Sequence, residues 1–326
     1  MNTIHLYFCE KRQPDKWIKG DRYFIELVRR IIRRKKTSGV EKVFINLRKG
    51  FDELKIRYAV NTPFEDVKPG EPVVVLGAGR YALEGYTQLN LIIGGIGLMT
   101  HPSEWPTLCQ DYPVVKYLQH SEWANNIYIP YYGKEVCQQW PAGIETDKWA
   151  PARANQKTAD ILIYNKIRWE HDKRNCELRE PIISKLQQDG LTYRELVYGQ
   201  YKEADYYEAL TSSRAMIFLC EHESQGFACC EALSMNVPVF AWDQGYCLDP
   251  NRFKWNDPVI PATSIPFFDE RCGMSFKDIR QFNDQFSTFW NNTINEKYSP
   301  RQYVLENLTL KKSAECMLEI IRSVYK

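Results

Sequence analysis

The chain has 326 residues, 44% of them hydrophobic and 26% charged, with 20 tyrosines and 9 tryptophans. That length holds two domains of about 150 residues each, and the composition is that of a globular protein rather than a disordered or fibrous one. A formal net charge of +2 excludes a polyanion binder acting through whole-chain charge, and the longest apolar run, 91–99, falls far short of the ~20 residues that cross a bilayer.

Ile4 to Cys9 reads as a first strand. A polar loop through Asp15, Trp17 and Gly20 follows. Arg22 to Lys36 is then predicted as a helix with Phe24, Leu27, Val28, Ile31 and Ile32 on one face. Residues 1–50 hold 14 Lys and Arg against 5 Asp and Glu. Arg29, Arg30, Arg33, Arg34, Lys35 and Lys36 form a cluster that reads either as a solvated face opposite the apolar stripe or as an attachment surface for an anionic membrane. Nucleic acid is not expected, because no basic motif is interleaved with aromatics. Val43–Leu47, Ile56–Val60, Pro72–Leu76, Leu91–Ile93 and Val114–Leu118 are predicted strands, and a helix follows from about Ser121. The third of these strands ends in Gly77-Ala-Gly79 and the fourth runs into Gly94-Gly95-Ile96-Gly97.

Trp140 to Pro151 reads as a crossing between domains, and polar residues 152–159 lead into a new first strand, Asp160–Tyr164. Leu196–Tyr198, Ala215–Leu219 and Val237–Trp242 continue the second set, and residues 275–326 are mainly helical in pattern. Strands alternating with helical segments argue an α/β fold. The ten cysteines have neither a C-x-x-C pair nor zinc spacing and are read as reduced thiols of a cytoplasmic protein.

The richest stretch is Glu223-Ser-Gln-Gly-Phe-Ala-Cys-Cys-Glu231. It follows an apolar strand, and Gly226 to Met235 is predicted as a helix closed by Asn236 in a left-handed cap, with Pro238 just beyond. Strand, loop, helix, strand puts the helix N-terminus at the carboxyl edge of a parallel sheet, where ligands bind. Free amides around Gly226 and Phe227, with the helix dipole, suit a diphosphate. Glu223 precedes the helix and Glu231 lies roughly 7–8 Å along it at 1.5 Å per residue. One carboxylate can then reach the sugar of a nucleotide-sugar while the other reaches its ribose hydroxyls. Two surface acids on an ordinary βαβ unit is the alternative.

This stretch resembles the donor motif of retaining GT-B glycosyltransferases of the family 4 type, in which two glutamates stand eight apart. The resemblance implies a GT-B fold: two Rossmann-like domains facing across a cleft, with the C-terminal helix returning to the first. The boundaries it implies are 1–151 for the acceptor-side domain, 152–302 for the nucleotide-sugar domain and 303–326 for the returning helix, expected over Gln302–Tyr325. It implies that Glu223 contacts the transferred sugar and Glu231 the ribose, with Ser224, Gln225, Gly226 and Phe227 around the donor. Where the family has Arg and Lys gripping the diphosphate, this chain offers Lys166 and Lys173, with Arg168 a competitor for the first place; Asn165 stands where Gly is usual. Gly20 takes the place of a phosphate-facing turn, and Tyr201 that of a residue flanking the base. The family's sugar-side histidine has no counterpart in the 94–97 glycine run. His101 and His120 are nearest, and the glycines instead are expected to allow close approach of substrate.

The implied reaction is transfer of a hexosyl group from a nucleotide diphosphate sugar to a hydroxyl of a glycan, lipid-linked or other acceptor, with retention and with no cofactor or metal. The absence of an Asp-x-Asp motif agrees with that. Rival expectations are a sugar phosphorylase, a nucleotide-sugar epimerase, or a catalytically inactive nucleotide-sugar-binding or scaffold protein.

Overall fold

The computed structural model describes residues 3–9, 38–77, 79–151 and 156–325. Gly20, the predicted helix 22–36 and the basic residues from Arg29 to Lys36 lie outside them. The chain divides into two units. One holds residues up to 118, 129–138 and from 314 onward; the other holds 119–128 and 139–313.

The first sheet is built from β1 (Ile4–Cys9), β2 (Tyr58–Val60), β3 (Val73–Gly77), β4 (Ile92–Gly95), β5 (Val114–Gln119) and β6 (Cys137–Gln139), in the order β2-β1-β3-β4-β5-β6. β1 pairs in parallel with β2 and β3, β3 with β4, and β4 with β5. Every residue of β3 and β4 is buried, as expected of parallel strands covered on both faces. Gly95 has φ +141°, and a Cβ there would lie 2.3 Å from the Leu118 carbonyl oxygen. Gly95 therefore lets β4 lie close against β5.

One predicted strand is a helix. Val43–Leu47 lies inside Gly39–Glu53, whose buried residues Val43, Phe44, Leu47 and Phe51 recur at helical spacing. Ser38 and Glu41 close its start as a capping box: the Glu41 amide donates to Ser38 Oγ at 3.1 Å, and the Ser38 amide donates to Glu41 Oε2 at 3.4 Å.

The helix expected over Gln302–Tyr325 is two helices, Pro300–Asn307 and Leu310–Val324. The carboxyl part of the second belongs to the first unit. Met317, Ile320 and Ile321 are buried there. The Val73 amide donates to the Tyr325 hydroxyl at 3.0 Å, and that hydroxyl donates to the Leu91 carbonyl.

The second sheet comprises β7 (Ala159–Lys166), β8 (Tyr193–Val197), β9 (Ser213–Cys220), β10 (Val239–Trp242) and β11 (Gly273–Phe276), in the order β11-β10-β9-β7-β8. All its pairings are parallel. Side chains alternate between two cores. Leu162, Tyr164, Met216 and Phe218 join one; Ile161, Ile163, Ile217 and Leu219 join the other. Trp140, Ala142, Ile144 and Trp149, from the stretch read as a domain crossing, are buried in this unit. Chain order reverses between β7 and β9. In an open α/β sheet, that reversal at the carboxyl ends is where a ligand crevice forms.

Candidate active site

β7 ends at Lys166, in register with Cys220 at the end of β9. The chain leaves β9 through Glu221, His222 and Glu223 and enters the helix Phe227–Ser234. The motif thus sits at the reversal point of the second sheet. Gly226, at the helix N-cap, has φ +67°, and the nearest atom to an added Cβ would be 3.5 Å away. Conformation rather than space requires glycine there. Asn236 closes the helix with φ +58°, the left-handed cap expected of it. Glu231 is buried inside the helix.

The Lys166 ammonium donates to Glu223 Oε1, and both side chains are largely shielded. Burial alone would lower the lysine pKa. The charge and hydrogen bond of Glu223, with Cys220 adding, together hold Lys166 above its ordinary value. The Glu223 backbone is fixed on both sides: its amide donates to the Thr263 carbonyl, and its carbonyl accepts from Trp123 Nε1, each at 2.9 Å.

Lys166 Nζ also stands 4.5 Å from the centre of the Tyr198 ring, and the Arg168 guanidinium stands 5.2 Å from the same ring. Two cations beside one aromatic ring gather positive charge at the strand end. A buried acid fixes the turn at Arg168 and Trp169. Glu221 is 1% exposed, and its Oε1 accepts from the Arg168 amide at 2.8 Å and the Trp169 amide at 3.1 Å. His222 stacks on Trp169 at 5.2 Å and meets the edge of Trp123 at 5.6 Å. Burial pushes its imidazole down to about 4, so it is neutral at physiological pH.

Of the residues singled out in the sequence, Lys166, Glu223, Gly226 and Phe227 come together at this strand end and helix start. Arg168 joins them through Tyr198. Tyr201 is half-buried; its hydroxyl meets that of Tyr164 at 2.5 Å. Burial raises its pKa, and the nearby Glu231 carboxylate adds to the rise. Ser224 is half-buried in the loop. Gln225 turns away to the chain: its amide accepts from the Ala142 nitrogen at 2.8 Å and donates to the Ala142 carbonyl at 3.2 Å. Lys173 stands on the following helix, more than half exposed, with its ion pair to Glu170 at 3.7 Å. His120 is buried and donates from Nδ1 to the Trp140 carbonyl at 3.1 Å. His101 lies in the first unit, where its Nδ1 accepts from the Ser103 amide at 3.2 Å.

Sequence reasoning missed Glu221, His222, Tyr198 and Trp123. For Glu221 there was a signal: an ionisable residue directly after the apolar run 215–220 is shielded by neighbouring loops and must find donors. For Trp123, a hundred residues from its partner Glu223 in the chain, there was none.

No protein-family model matches the chain, and no curated protein matches it. Solved structures do. AviGT4, a glycosyltransferase involved in avilamycin A biosynthesis, is similar with a TM-score of 0.54 at 13% identity, over 99% of this chain and 98% of its own. The apo form of the lipopolysaccharide outer core galactosyltransferase WaaB gives 0.54 at 12% identity, over 98% and 99%. Sucrose-phosphate synthase from Thermosynechococcus elongatus gives 0.52 at 10% identity, over 99% of each chain. At such identities the likeness is one of architecture: two Rossmann-like α/β units with the last helix returned to the first, the GT-B glycosyltransferase fold.

Proposed function

We propose that the chain is a glycosyltransferase that moves a sugar from a nucleotide diphosphate sugar to an acceptor hydroxyl, with retention and without a metal. The observation that carries this reading is the convergence of Lys166, Glu223 and the Gly226-capped helix at the reversal point of the second sheet. The helix amides and the Lys166–Arg168 pair supply positive potential for a departing diphosphate. Lys166 is exchanged from Glu223 to phosphate as the donor enters, which frees the carboxylate for sugar hydroxyls. Glu231, further along the helix, takes the ribose, and the acceptor proton leaves with the phosphate.

Glu223→Gln is expected to cut turnover while sparing nucleotide affinity, because an interaction used mainly in the transition state lowers rate more than ground-state binding. Glu231→Ala is expected to weaken nucleotide binding by about 1.5–3 kcal/mol, the worth of a charged hydrogen bond. Calorimetry with uridine, guanosine, adenosine and thymidine diphosphates, beside product analysis with the matching sugar donors, reads both. Full turnover in Glu223→Gln would remove it from the reacting centre. Activity restored only by added manganese after EDTA would overturn the metal-free route.

One observation favours a second reading, a nucleotide-sugar-binding protein without turnover. The carboxylate assigned to the sugar is already engaged by Lys166. Nucleotide binding with neither transfer nor donor hydrolysis would establish that reading.

A further inference from the structure

One residue before Lys166, strand β7 carries an asparagine, and the edge strand β8 beside it carries a glutamate, Glu195. A polar side chain on a central parallel strand must find its partners inside the protein. Asn165 is 3% exposed and uses both ends of its side chain. Its Oδ1 accepts from the Ile167 amide at 3.2 Å, and its Nδ2 donates to Asn175 Oδ1 at 3.2 Å and to Glu195 Oε1 at 3.4 Å. Glu195 also accepts from Arg179 through both oxygens, Nε to Oε1 at 2.6 Å and Nη2 to Oε2 at 2.5 Å. The Arg179 hydrogen bonds hold the Glu195 carboxyl below its ordinary value against its burial, and the one from Asn165 adds.

Asn175 and Arg179 are the first and last residues of a π turn, Asn175–Arg179, set between the helix His171–Arg174 and the helix Glu180–Gln188. Such turns are rare interruptions of an α-helix, often at functional sites. Here both ends of the turn are bound to the sheet, one at Asn165 and the other at Glu195. Lys173 lies two residues before the first of those ties, and Lys166 one residue after Asn165. The strut therefore joins the backbones that carry the two lysines, while its own side chains are spent on one another.

We infer that Asn165 and Glu195 are positioning residues: through Asn175 and Arg179 they hold the π turn against the sheet and set Lys173 at a fixed spacing from Lys166, for the two phosphates of a diphosphate. The inference rests on the reading of this strand end as the donor site. Two phosphates are met by two cations only when that spacing is kept, to about 0.5 Å for a preorganised site.

Calorimetry of the full chain with inorganic diphosphate, and with uridine, guanosine, adenosine and thymidine diphosphates, tests it. Glu195→Ala is expected to weaken binding about tenfold, while Glu195→Gln, which keeps acceptor oxygen for Asn165 and Arg179, stays within about twofold of the parent. Arg179→Met cuts the same pair from a side chain 32% exposed and is expected to give the same loss, which keeps the test open should Glu195→Ala fail to fold. The deciding comparison is made without Lys173. Added to Lys173→Met, Glu195→Ala is expected to change affinity less than about twofold, because the strut then has no cation to place; a purely structural role would keep the tenfold loss in both backgrounds. The inference is overturned, with the donor reading left standing, if the parent, Glu195→Ala and Arg179→Met bind alike, if Lys173→Met binds like the parent, or if the Glu195→Ala loss persists without Lys173. A parent that binds neither inorganic diphosphate nor a nucleoside diphosphate overturns the donor reading, and the role of the strut with it.

Discussion

Glu221 works on the site through backbone amides rather than through a ligand. Its carboxylate holds the two amides of the turn that aims Arg168 at Tyr198. Glu221→Ala is expected to release that turn and weaken diphosphate binding about tenfold, while Glu221→Gln keeps an acceptor oxygen and stays near the parent. Equal affinities in all three proteins, by calorimetry, would leave Glu221 a purely structural residue. Lys166 has a different dependence. Lys166→Met strands the shielded Glu223 carboxylate and is expected to cost about 3 kcal/mol of stability, whereas Lys166→Met with Glu223→Leu recovers most of it. A denaturant double-mutant cycle with no coupling would show that the ion pair contributes nothing. Glu221 was passed over, whereas Lys166 and Glu223 were legible in the sequence, a lysine at the end of one strand and an acid in a motif after another. Their pairing was not, because 57 residues separate Lys166 from Glu223 and the sheet register alone brings them together.

Elements were legible where local chemistry and tertiary demand agree. The motif helix has a glycine that tolerates φ +67° at its start and an asparagine in the left-handed cap at its end, and both positions were readable. Gly226→Ala is expected to cost about 1–2 kcal/mol through the left-handed backbone and to displace the first-turn amides. An unchanged melting temperature would contradict that. Val43–Leu47 misled because a five-residue window rich in apolar and β-branched side chains looks like a strand. The longer pattern from Val43 to Phe51 and the Ser38–Glu41 box decide for helix. Ser38→Ala is expected to lose about 1 kcal/mol by urea titration, the usual worth of such a cap. β6, Cys-Gln-Gln, carries one small apolar residue, too little to mark a strand; backbone pairing at the sheet edge makes it one.

At the scale of the whole molecule, two shielded neutral histidines make stability depend on acid. His120 and His222 are each pushed down to about 4, by burial above all, against an ordinary 6.5. The unfolded chain takes up protons first as pH falls below 6.5, so stability present above that value is lost progressively down to about 4. A His120→Gln/His222→Gln variant is expected to show a flatter fall of melting temperature across that window; an unchanged slope would place the acid sensitivity elsewhere. The returned helix has a consequence for how the protein is made. Tyr325 ties the start of β3 to the residue before β4, yet it is synthesised only after the entire second unit has been. Domains ordinarily fold in the order they leave the ribosome. Here the second unit can complete its sheet on the nascent chain while the first waits with the face for Met317, Ile320 and Ile321 uncovered. Chaperone dependence during synthesis should therefore fall on the earlier-made half. Chains stalled after residue 313 are expected to protect residues 156–313 from protease and to leave 38–118 open to it.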